Sequence, residues 1–97
     1  MIALTVSLQV VPGCREDFLK AIEENAERSF TDEPGCRYFD IVCDLADDHH
    51  FVFHEIYDDE AAVEAHGASE HFQAYALGQA IPVLESRARE LFQTIDA

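Results

Sequence analysis

Apolar and polar residues alternate without a break from Ile2 to Val10. Ile2, Leu4, Val6, Leu8 and Val10 fall on one side, and Ala3, Thr5, Ser7 and Gln9 on the other. Successive strand side chains point to opposite faces, so this stretch reads as a β-strand with one apolar face. Pro12-Gly13 ends it. The period then changes. Phe18, Ile22, Asn25 and Ser29 recur at i, i+4, i+7 and i+11, one stripe of a helix over about residues 15–31. Glu16, Lys20, Glu23, Glu24 and Glu27 cover its outer side. The inward stripe thus begins apolar and ends polar. A buried Asn needs a hydrogen-bond partner. Asn25 finds one either in neighbouring backbone or in a ligand cavity that Ser29 also faces.

Glu33-Pro34-Gly35 is a turn. A second strand follows over residues 36–45, with Arg37, Phe39, Ile41 and Cys43 opposite Tyr38, Asp40, Val42 and Asp44. An acidic hairpin around Asp47, Asp48 and His49 leads into a third strand, residues 51–57. There Phe51, Phe53, Glu55 and Tyr57 share one face against Val52, His54 and Ile56. Asp58 or Asp59 caps a second helix whose inward side is Ala62, Val63 and His66. Gly67 interrupts it, and Ser69 restarts it as a new N-cap with Phe72, Tyr75 and Ala76 inward. Pro82 stops it. A last strand spans residues 87–95.

The order β-α-β-β-α-β predicts an α+β, ferredoxin-like fold, an antiparallel four-stranded sheet with both helices on one face. The other sheet face is left bare, and a homodimer in which two sheets meet face to face would cover it.

Ninety-seven residues is one domain, 1–97. The net charge of -14, from 20 acidic against 6 basic residues, sets the surface against nucleic acid and anionic membrane. An anionic substrate would need a local patch drawn from Arg15, Arg28, Arg37, Arg87 or Arg89. No run is apolar enough to span a bilayer or to serve as a secretory leader, so the expected location is the cytoplasm. Cys14, Cys36 and Cys43 are expected to be free thiols that act as small packing residues. No His/Cys spacing matches a standard zinc pattern, and no metal is expected.

One pattern is more specific. Glu55, Tyr57, Asp59, Ala62, His66, Ser69, His71 and Phe72 fit E-x-Y-x-[DE]-x-x-A-x-x-x-H-x-x-S-x-H-F, and the turn from Glu33 to Cys36, followed by Phe39 and Asp40, accompanies it. In these features the chain resembles the antibiotic biosynthesis monooxygenase domain, a dimeric α+β barrel. The resemblance implies a cofactor-independent oxygenase of quinols or phenols, or else an isomerase of a phosphorylated dicarbonyl signal, autoinducer-2. Asn25, Ser29 and the Phe39-Asp40 pair look closer to that second branch. Heme-degrading members use a first-strand Asn and a Trp. Here there is no Trp, and Ser7 or Gln9 stands in the corresponding region.

An oxygenase without flavin or metal needs a base to deprotonate an electron-rich substrate, donors for the developing oxyanion and a dry aromatic pocket. His66 or His71 is the candidate base, since imidazole titrates near neutrality. Asn25 and Tyr57 are candidate oxyanion donors, and Glu55 orients an imidazole or shuttles the proton. Ser29, Phe39, Phe53 and Phe72 are the candidate substrate-binding residues, and no cofactor is expected. The same groups would serve keto-enol isomerisation. They also fit a non-catalytic dimeric binder, in which Glu55 merely pairs with His66 to tie strand to helix.

Overall fold

The computed structural model describes residues 1–95, so the last two positions of the expected domain, 1–97, lie outside the described residues. Its elements are β1 (Ile2–Val10), α1 (Arg15–Asp32), β2 (Cys36–Cys43), β3 (His50–Tyr57), α2 (Glu60–Ala68), a π-helical segment (Phe72–Ala80), one short 3₁₀ turn (Ile81–Val83) and β4 (Leu84–Gln93). The four strands form one antiparallel sheet in the order β2-β3-β1-β4. This is the ferredoxin-like α+β plan, with α1, α2 and the π segment on one face.

The alternation in β1 becomes burial. Leu4, Val6, Leu8 and Val10 are buried, and opposite them on β3 stand Glu55, Phe53 and Phe51. Phe18 of α1 drops onto this wall, its ring 5.0 Å from Phe51 and 6.1 Å from Phe53. Each such fully buried ring contributes about 2–3 kcal/mol of apolar transfer. Gly13 takes φ +89, a left-handed conformation open to glycine, and so turns the chain from β1 into α1. Gly35 is required for a different reason: a Cβ there would lie 2.6 Å from the Ala62 Cβ. The turn after α1 therefore sits directly on α2.

Four features depart from the alternation and helix periodicity. A bulge in β2 between Cys36 and Tyr38 takes Arg37 out of the inward row, where it pairs with Asp58 instead. α2 runs through Gly67 and breaks at Ser69, whose extended backbone (φ -67, ψ 152) ends one helix while its Oγ accepts from the Phe72 N–H. From Phe72 onward the helix is π, not α; the four-residue spacing of Phe72, Ala76 and Ala80 fits either period. β4 begins at Leu84, earlier than Arg87, because β1 offers a ladder partner as far as Val10, reached across a second bulge. Of the thiols only Cys36 is buried; Cys14 is half-buried and Cys43 exposed, so Cys43 is not a packing residue. Among the described residues no helix is long and apolar enough to cross a membrane.

Candidate active site

The inward face of β3 carries Glu55 in a row of rings, and register places it opposite Leu4 of β1 and Phe39 of β2. Its side chain is 3% exposed. The Tyr57 hydroxyl donates to Oε1 at 2.6 Å. Burial pushes the Glu55 carboxyl up to about 7; the Tyr57 hydrogen bond and the charges of Arg89 and Arg87 pull against that rise, and Glu33 adds to it. Tyr57 itself is completely buried, and burial next to Glu55 raises its phenol well above the ordinary range. Tyr57 therefore stays a neutral phenol and donates to Glu55.

His66 projects from the C-terminal end of α2 into a cage of Phe39, Tyr57 and Phe72, with ring centroids 6.1, 5.4 and 5.1 Å away. Burial lowers its pKa, and Glu33 opposes that fall. Its Nδ1 lies 3.0 Å from Glu33 Oε2 and 3.3 Å from Ser29 Oγ. With Glu33 a carboxylate, Nδ1 carries the proton and Nε2 presents its lone pair. Nε2 points toward Glu55, 3.8 Å from Oε1, too far for a hydrogen bond but close enough to share one substrate atom.

These two groups line one cavity of about 40 Å³ with Asn25, Phe39, Phe53 and Phe72, closed above by Ala76 and Ala80 of the π segment and edged by Arg87. The space holds about three waters. A second cavity of about 60 Å³ shares Glu55, His66, Phe72 and Arg87 and adds Arg89. Asn25 Oδ1 is buried with no hydrogen-bond partner among the described residues. An unpaired buried amide oxygen on a cavity wall is an acceptor waiting for a donor such as a ligand hydroxyl.

The fold thus brings Asn25, Glu55, His66, Phe39, Phe53 and Phe72 to one hollow. Ser29, Tyr57 and His71 stand behind it. Ser29 Oγ donates to the Asn25 carbonyl oxygen at 2.7 Å and touches His66. His71 hydrogen-bonds through Nε2 to Glu33 and lines a separate hollow on the outer side with Arg28, Asp32, Glu70 and Tyr75. Glu33, which joins the two histidines, was not singled out by periodicity. Its signal is positional: it opens the turn that returns the chain from α1, and Gly35 seats that turn on α2. Glu33, His66 and His71 together offer three donor atoms that could hold a metal ion.

A family model described as antibiotic biosynthesis monooxygenase matches residues 1–76. The Bacillus subtilis (strain 168) protein YcnE is 32% identical over 75 residues, 77% of this chain and 78% of that protein. A crystal structure of an antibiotic biosynthesis monooxygenase superposes with a TM-score of 0.91 at 26% identity, covering 99% of this chain and all of the other. A structure of the same family name from Nitrosomonas europaea gives the same TM-score, identity and coverage.

Proposed function

The chain belongs to the antibiotic biosynthesis monooxygenase family, and on that premise we propose that it is a cofactor-independent monooxygenase of a small phenol or quinol. The observation that carries this reading is the pairing of a lone-pair imidazole nitrogen and a carboxyl raised to about 7 on one mostly apolar cavity wall. Environments that push two titratable groups toward different roles mark an acid and a base. His66 Nε2 takes the proton of the substrate hydroxyl, and Glu33 behind Nδ1 steadies the imidazolium that forms. Asn25 accepts from a second hydroxyl and fixes the ring. The anion gives its electrons to oxygen, and a ring carbon gains a peroxide. Glu55, protonated below about pH 7, returns a proton as the O–O bond breaks. One oxygen atom becomes a carbonyl and the other leaves as water, so a hydroquinone yields a hydroxyquinone and the ring supplies every electron. Phe39, Phe53 and Phe72 flank the ring and keep water out.

The functional unit in this reading is a homodimer. The sheet face away from the helices carries Tyr38, Val42 and Phe92, each 45–49% exposed, which a second sheet would cover. Sedimentation tests this point. The reaction itself is tested by turnover of a quinol panel in chelator-treated buffer, with and without oxygen. Oxygen-dependent product formation supports an oxygenase, whereas product that forms equally in the absence of oxygen makes the chain an isomerase.

A further inference from the structure

Six basic residues face 20 acidic ones in this chain. Three of the five arginines are occupied. Arg15 donates to the Asp48 carbonyl oxygen at 2.6 Å and lies over the Phe51 ring. Arg28 pairs with Glu24 at 3.1 Å, and Arg37 pairs with Asp58 at 2.5 Å. Arg87 and Arg89 differ. Among the described residues neither has a carboxylate within ion-pair distance, and neither donates a side-chain hydrogen bond.

Their placement is specific. Arg87 stands opposite Leu8 and Arg89 opposite Val6, so both belong to the sheet face that looks toward the helices. β4 is nevertheless exposed along nearly its whole length. The two guanidinium groups therefore stand at an open margin of the site. Both line the second cavity with Glu55 and His66, and Arg87 lines the first as well. The two arginines without a partner among the described residues are thus the two beside the candidate acid and base.

We propose that Arg87 and Arg89 hold an oxyanion substituent of the substrate, a carboxylate or a phosphate, while its ring lies against Phe39, Phe53 and Phe72. This rests on the oxygenase reading for the orientation of the ring, and it names the substrate class as an anionic phenol or quinol. A surface of charge -14 repels such a molecule at long range, so a local pair of cations is what admits it. The guanidinium fork matches both oxyanions through paired N–H donors. Holding the substituent at the β4 margin leaves the opposite side of the ring to meet His66, Glu55 and Asn25.

The test is equilibrium binding by calorimetry without oxygen, using hydroquinone, gentisate (its carboxylated form) and 2,5-dihydroxybenzyl phosphate, both of which keep the two hydroxyls. At least one anionic compound binds about tenfold or more tightly than hydroquinone, the size expected of a charge-assisted hydrogen bond. Added salt narrows the difference. The Arg87→Gln/Arg89→Gln variant erases it, and an Arg87→Lys/Arg89→Lys variant keeps part of it. Whichever anion wins identifies the substituent. Failure of both anions to bind, equal binding of hydroquinone, or a preference that survives the glutamine variant overturns the proposal. Because no turnover is measured, such a result leaves the oxygenase reading standing, just as absent oxygen uptake would leave the anion preference standing.

Discussion

Glu33 and His66 meet across 33 positions of sequence, Oε2 to Nδ1 at 3.0 Å, and the contact decides which face of the imidazole carries a lone pair. A carboxylate behind Nδ1 turns Nε2 into an acceptor and stabilises the charge that develops there, as in other carboxylate–imidazole pairs. Glu33→Gln keeps the shape and removes the charge. We expect turnover to fall by about a hundredfold, the usual worth of a general base. Nitrogen NMR of His66 should show the tautomer preference relaxed, a change that loss of packing alone would not produce.

Glu55 links stability to pH. Its folded-state pKa of about 7 lies above the ordinary 4.5, so the folded chain holds that proton more tightly than the unfolded chain. The resulting stabilisation is present below the ordinary value and is lost as pH rises through about 7. Glu55→Gln keeps an acceptor for Tyr57 and has no charge to desolvate. Above pH 7 the variant should be more stable by on the order of 3 kcal/mol. It should also lose the fall in stability between about pH 4.5 and 7, as read from denaturant midpoints, while losing most activity.

The rate should be bell-shaped in pH. The acid limb follows His66, whose pKa burial lowers, because a protonated imidazole takes no proton. The alkaline limb follows loss of the Glu55 proton at about 7. A kcat/KM profile tests this, and Glu55→Gln should abolish the alkaline limb of whatever activity remains.

Gly35 positions Glu33 against the helix that carries His66. Gly35→Ala places a methyl group 2.6 Å from the Ala62 Cβ and should destabilise the fold by about 2 kcal/mol. Adding Ala62→Gly relieves the clash, so the double variant should regain more than half of the lost thermal stability apart from the helix cost of the new glycine. Thermal denaturation of the pair checks it.

Much of this arrangement was legible from pattern. Alternation in β1 and β3 located the apolar wall and put Glu55 among its rings, because the two-residue period of a strand leaves little freedom. The helical stripe through Phe18, Ile22 and Asn25 points into the core because their spacing matches the period of a helix. Glu33 was not legible: one acid among 20, at a helix end, has no period to mark it. The separation of His66 from His71 was also hidden. It depends on the break at Ser69 and on the π turn that follows, and a five-residue spacing in sequence does not reveal either. That Arg87 and Arg89 have no partner among the described residues depends on what surrounds them in space.

In the proposed reaction His66, rather than His71, faces the substrate across from Glu55. Oxygen uptake by the wild type, His66→Ala and His71→Ala on one accepted quinol tests it directly. We expect a loss of about a hundredfold or more in His66→Ala and activity within a few-fold of wild type in His71→Ala, which only trims a partner of Glu33. Undiminished uptake in His66→Ala, or its abolition in His71→Ala alone, would contradict it.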